Sequence, residues 1–313
     1  MSPSILIVGA TGNTGRSVVS TLSELIKDPN HHLSSTRLIA QTRSASSLAA
    51  KKLASISNVS ILEENWVDIT STWLRENEVT KVFIAAHNEP SAFAEESHFH
   101  VQALNGGVKH VVRISTTAVN VRPNFKAYYP RTHWAIEQML ESKEFESMMW
   151  TSLQPNLFTS MVMGNAVSMV KEFRKTGKQQ PLSMMTSEDA GVGIVDPNDV
   201  GAFAAHVLAD EQPEKHNGKR YALNGPEDIT GQEIVGMVEK ELGVPVEKVL
   251  YKDMSFLVQM AEGSQKVLIM SIYHAVETAW EGKCGINTTS KEVFDIYAPK
   301  KTPAQTFKDL LEE

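Results

Sequence analysis

The feature that most constrains this chain lies at its start. Residues 5–8, Ile-Leu-Ile-Val, form a short apolar run that stops at Gly9 and leads into Ala10-Thr11-Gly12-Asn13-Thr14-Gly15. Val18, Val19, Leu22, Leu25 and Ile26 then recur at helical spacing. A β-branched run bounded by glycine reads as a parallel strand buried on both faces. Strand, glycine turn and helix together let backbone approach a diphosphate at a helix N-terminus. In this reading Gly9 makes the tight turn, Gly12 clears space for phosphate, and Gly15 lets helix and strand pack closely. The amides of residues 12–15 are the anion donors, aided by the Asn13 and Thr14 side chains. The spacing is GxxGxxG rather than GxGxxG, and a purely structural strand-to-helix corner is the alternative.

The second strand, residues 36–43, ends at Arg43, followed by Ser44, Ser46 and Ser47. A site selective for NAD carries an acid there to accept from the ribose hydroxyls. Arginine only donates, and it suits a 2′-phosphate and the adenine face. The expectation is NADP(H) over NAD(H), against the alternative of a solvated loop arginine.

Further strands are expected at residues 59–62, 79–86, 108–115, 149–153 and 219–223, with helices between them. Asp68 reads as a helix cap or a neighbour of the adenine. Ala85, Ala86 and His87 end the fourth strand at the carboxyl edge, where such sheets bind ligands; His87 reads equally as a loop histidine. The alternation predicts an α/β fold: a doubly wound parallel (Rossmann) sheet of order 3-2-1-4-5-6, with a smaller C-terminal α+β substrate domain. The nucleotide domain is expected over residues 1–156 plus about 192–224. The substrate region would span about 157–191 plus 225–313.

Composition narrows the partners. With 30 basic against 37 acidic residues, the net charge of −7 disfavours a nucleic-acid surface. Cys284 is the one cysteine, so neither an internal disulfide nor a cysteine zinc cluster is available, and no metal site is expected. No apolar run approaches the roughly 20 residues that span a bilayer, and the first residues lack a basic leader. A cytoplasmic protein, with no membrane or nucleic-acid partner, is the expectation.

Five segments and Arg43 carry a resemblance: Gly9-Ala-Thr-Gly-Asn-Thr-Gly15, Gly107-Val-Lys-His-Val-Val-Arg-Ile-Ser115, Leu153-Gln-Pro-Asn-Leu-Phe158, Val195-Asp-Pro-Asn-Asp-Val200 and Gly218-Lys-Arg-Tyr-Ala-Leu-Asn-Gly225. They resemble the NmrA-like members of the atypical short-chain dehydrogenases/reductases, over most of the chain. The resemblance implies an NADPH-dependent reductase of a hydrophobic carbonyl, quinone or enone. NADP(H)-sensing regulators and NADP-dependent isomerases or epimerases are the alternatives. Where the family usually has arginine before the proline of the sixth strand, this chain has Gln154.

The wider superfamily uses a hydroxyl residue after strand five and a Tyr-x-x-x-Lys pair. Here Thr117 takes the hydroxyl place, Tyr129 the tyrosine, and His133 the lysine, where it is expected to touch cofactor. A neutral histidine lends little field to acidify Tyr129. Pro130 suits the first helical position and would make Tyr129 a cap; aromatic packing at the pocket rim is the plainer role for Tyr128 and Tyr129. Asn156, Leu157 and Phe158 are expected to face the nicotinamide, Phe158 packing on its ring or belonging to the domain interface, and Pro155, where the chain leaves the sheet, is expected at the cofactor. Met161, Met163, Met169, Met184 and Met185 suit either core or an adaptable substrate pocket. Asp196 and Asp199 read as caps of the following helix. The amphipathic stretch 254–280 would close over the pocket or form an oligomer interface, which leaves a homodimer open.

Overall fold

The computed structural model describes residues 2–261 and 265–312. Strands β1 (Ser4–Val8), β2 (Arg37–Thr42), β3 (Val59–Glu63), β4 (Val79–Ile84), β5 (His110–Ile114) and β6 (Met149–Pro155) alternate with helices. These helices are α1 (Asn13–Leu25), α2 (Leu48–Ala54), α3 (Ser71–Glu76), α4 (Ala92–Gly106) and α5 (Tyr128–Glu141). The chain continues through α6 (Thr159–Thr176), the two-residue β7 (Leu182–Ser183), α7 (Pro197–Ala209), β8 (Lys219–Leu223), α8 (Gly231–Leu242) and the short β9 (Val249–Leu250). The main sheet is parallel throughout, in the order β3-β2-β1-β4-β5-β6-β8.

β1 shows why the pattern reads continuously apolar. Ile5 and Ile7 enter the core beneath α1 and α7, with Val18, Leu22, Val200 and Phe203. Leu6 and Val8 enter the opposite core, with Leu74, Phe99 and Ile136 from α3, α4 and α5. A strand covered on both faces has no solvent side on which to place polar residues. α4 ends where Gly107 adopts φ +82°, a left-handed cap that returns the chain to β5.

A third core lies beyond the sheet. Val162, Met163, Ala166 and Val170 of α6 pack with Ile234 and Val238 of α8 and Phe307 of the last helix, Pro303–Glu312. β7 pairs with β9 beside it. Met163, Met169 and Met184 are buried, whereas Met161 is exposed. The stretch 254–280 breaks into short helices at Phe256–Met260, Lys266–Ser271 and Glu277–Trp280; residues 262–264 lie outside the described residues.

Three local expectations are corrected. Thr70, not Asp68, caps α3, accepting from the Trp73 amide. Asp196 does cap α7, but Asp199 instead accepts from the amides of Lys300 and Lys301 and so ties down the C-terminal segment. α5 begins at Tyr128 with Ala127 as its cap, so Pro130 stands third in the helix. Its missing N–H costs nothing there, because first-turn amides have no partner within a helix.

Candidate nucleotide site

The loop after β1 turns tightly because its glycines let backbone approach backbone. Gly9 adopts φ +76°, and its amide donates to the Gln41 side chain at 2.9 Å. Gly12 donates back to the Gly9 carbonyl at 3.0 Å and closes the turn. A β-carbon on Gly15 would lie 2.2 Å from the Gly9 oxygen, so only glycine allows α1 to start this close to β1. Gly12 stands at the α1 N-cap with no side chain to satisfy the first turn. The helix therefore presents free amide donors and the positive end of its dipole.

These residues border a cavity of about 760 Å³ at the carboxyl edge of the sheet. Gly9, Thr11, Gly12, Asn13, Thr14 and Gly15 form one wall, and Gln41, Thr42 and Arg43 the β2 side. Ala85, Ala86, His87 and Glu89 close it from the β4 loop, with Phe158 from the start of α6. Arg43 is exposed at the rim and makes no ion pair among the described residues. Its neighbours Ser44 and Ser46 bond to each other at 3.0 Å, and Glu63 accepts from the Ala45 amide. The glycine cradle, the uncapped helix and the unpaired cation fit a phosphorylated dinucleotide.

His87 faces the cavity with both ring nitrogens occupied. Nδ1 accepts from the Glu89 amide at 3.2 Å, so Nε2 carries the proton and donates to Glu95 at 2.7 Å. That bond draws the Glu95 carboxyl below its ordinary range.

Thr117, Tyr129, His133 and Pro155 are not among the residues bordering this cavity. Tyr129 and His133 share a face of α5, their rings perpendicular at 6.3 Å. Tyr129 also packs against Phe125, Ala127 and Ala275. Burial pushes its phenol up, against an opposing pull from the Thr116 hydroxyl. Thr117 Oγ1 donates to Asn156 Oδ1 at 3.4 Å. His133 is 3% exposed. Arg113 Nη2 donates to its Nδ1 at 2.8 Å, and its Nε2 donates to Asn88 Oδ1 at 2.9 Å. Burial first, and Arg113 second, lower its pKa to about 3, so the ring is neutral.

A model of the NmrA-like family matches residues 1–299. The chain belongs to that family. Among curated relatives, a (4-alkanoyl-5-oxo-2,5-dihydrofuran-3-yl)methyl phosphate reductase of Streptomyces griseus is 27% identical over 77% of this chain and 75% of its own. An NAD(P)H azoreductase of Xenophilus azovorans is 25% identical over the same shares. The fold matches that of an NADPH-dependent quinone oxidoreductase of Escherichia coli solved with NADPH. The TM-score is 0.72 at 19% identity, covering 98% of this chain and 99% of that one. No described helix is long and apolar enough to cross a membrane.

Sequence reasoning missed several residues of this NmrA-like site. Gln41, 1% exposed, donates through Nε2 to the Glu64 carbonyl at 2.6 Å while holding Gly9. Its signal was a polar side chain inside a buried strand. Asn65, Trp66 and Glu95 also border the cavity. Gln154 donates to Glu137 at 3.1 Å, and Arg220 of β8 supplies the cation to that carboxylate at 2.8 Å.

Proposed function

We propose that this chain is an NADP(H)-dependent oxidoreductase that reduces a small hydrophobic acceptor of the quinone or enone type. The observation that carries the reading is the glycine cradle opening on a cavity with Arg43 unpaired at its rim. Gly12 to Gly15 hold the diphosphate through backbone amides and the α1 dipole. Arg43, with Ser44 and Ser46, takes the 2′-phosphate. Ala85 and Ala86 leave room for the nucleotide to pass, and Phe158 packs at the inner end. NADPH, when bound, supplies the reducing equivalent, and the protein orients it and excludes water.

The acceptor class follows from the proton side. Tyr129 is protonated at neutral pH but has a raised pKa and no lysine beside it. His133 is neutral, and both its nitrogens are committed to protein groups. Neither group is activated as an acid, so the reading favours acceptors whose reduced anion is stabilised by its own conjugation. Simple ketones, which need strong protonation in the transition state, suit it less.

NADPH oxidation measured against a panel of quinones, enones and ketones tests this. Turnover of quinones or enones above ketones supports it. The same unactivated acid also favours a second reading, an NADP(H)-binding regulator. Tight NADPH binding with no turnover across the panel selects that one.

A further inference from the structure

The buried charges behind α5 form one chain of contacts that ends at the cavity wall. Arg113 of β5 is fully buried. Its Nε donates to Glu96 Oε1 at 2.6 Å and its Nη2 to Glu96 Oε2 at 3.0 Å, a two-point grip. Nη1 donates to Ser152 at 3.1 Å and lies 3.7 Å from Glu137. His100, one turn along α4, meets Glu96 Oε1 at 3.2 Å. Burial alone would raise the Glu96 carboxyl, but Arg113 and His100 hold it well below the ordinary range. The guanidinium is thus fixed in place and spends one remaining N–H on His133.

Arginine can only donate, so the contact from Arg113 makes His133 Nδ1 an acceptor and places the proton on Nε2. That proton reaches Asn88 Oδ1. The Tyr128 hydroxyl, from the first turn of α5, donates to the Asn88 backbone carbonyl. Asn88 is otherwise exposed, and its chain neighbours His87 and Glu89 both border the cavity. α5 thus grips the loop between β4 and α4 at two atoms of one residue.

We infer that Arg113 and His133 are positioning residues: Arg113 fixes the His133 tautomer, and His133 through Asn88 holds the β4 loop as the wall of the nucleotide cavity. The inference deepens the proposed function and rests on the cavity taking NADP(H). It also accounts for histidine where the wider superfamily has lysine. An ammonium at this position would face the Arg113 guanidinium in a site away from water. A neutral ring that accepts on one side and donates on the other satisfies both neighbours.

The test combines nitrogen NMR of the imidazole with NADPH binding and steady-state kinetics. The His133 signal, assigned as the one lost in His133→Gln, should show a protonated Nε2 and bare Nδ1 at neutral pH. An imidazolium, or the opposite tautomer, overturns the inference whether or not NADPH binds. Gln offers an acceptor oxygen and a donor nitrogen, so His133→Gln should bind NADPH within about threefold of the wild type. His133→Leu loses both ring contacts and Asn88→Ala only the one they share; because that shared contact is the one that reaches the loop, each should weaken NADPH about tenfold, near the worth of one buried hydrogen bond. The double variant should be no weaker than either single one, because both remove the same contact. Kinetically, KM for NADPH should rise while kcat at saturation holds.

Additive losses, a Gln variant as weak as Leu, or loss confined to kcat would each overturn the inference. Asn88→Ala changes an exposed loop side chain, so it reports even if the buried His133→Leu variant misfolds. Failure of the wild type to bind NADPH would refute the proposed function, whereas the tautomer measurement judges the contact chain separately.

Discussion

The α-carbon of Gly15 sits so close to the Gly9 carbonyl that a β-carbon there would lie 2.2 Å from that oxygen and 2.8 Å from the Ala10 α-carbon. Both obstacles are backbone, so no rotamer relieves them. Gly15→Ala should therefore lose about 1–3 kcal/mol of stability, or displace the turn and cost more than tenfold in NADPH affinity. At Gly12 the nearest atom, the Gly9 carbonyl oxygen, is 3.2 Å away, so Gly12→Ala needs a much smaller backbone shift and should lose less stability than Gly15→Ala. Thermal melting and NADPH titration of the two variants, side by side, check the contrast.

Arg43 faces solvent at the cavity rim, where a 2′-phosphate is the group that separates NADPH from NADH. Arg43→Ala should weaken NADPH about tenfold, near the value of one charge-assisted hydrogen bond, and change NADH less than about twofold. Titrating both nucleotides into both proteins gives the answer. An equal loss for the two would mean that Arg43 does not read the phosphate.

Tyr129 lies against Phe125, Ala127 and Ala275, with burial raising its phenol. Tyr129→Phe keeps the ring and removes only the hydroxyl. With a quinone acceptor, kcat should stay within about threefold of the wild type, as expected for an unactivated acid. A drop of a hundredfold or more would restore the phenol to the mechanism.

Two buried histidines make stability fall in acid. His133 and His110 are each lowered to about 3, by burial first, with Arg113 and Lys81 respectively adding repulsion. Between about pH 6.5 and 3 the unfolded chain binds protons that the folded chain refuses, so stability falls as pH drops through that window. Each histidine contributes a slope of up to about 1.4 kcal/mol per pH unit. Urea unfolding from pH 7 to pH 5 should show the loss, and His133→Gln should make it shallower. Below pH 4, Asp210, held at about 2, adds to the same trend.

The sheet was legible because its strands are apolar on both faces and its turns carry glycine. The Ile5 to Val8 run, the Gly9 to Gly15 turn and the strand Lys219–Leu223 all lie where the pattern indicated. Arg43, His87 and Phe158 line one cavity because each ends or follows a strand at the same sheet edge. What the pattern could not convey was the direction of side chains on α5. Spacing of four put Tyr129 and His133 on one face. It said nothing of Arg113, 20 residues earlier, which claims one nitrogen of His133 from beneath. Polar contacts made from a strand to a turn or a helix, such as Gln41 with Gly9 or Arg220 with Glu137 of α5, leave no periodic trace in the strand.

Gln41 bridges two loops with one carboxamide: its oxygen holds the Gly9 amide and its nitrogen the Glu64 carbonyl just beyond β3. The glycine turn proposed to hold the diphosphate and the ledge beside Asn65 and Trp66 are therefore tied together through one side chain. Redesign of the β2 edge toward a different nucleotide can alter residues 43–47 freely only while that amide stays. Exchange it, and tuning one end of the dinucleotide would detune the other.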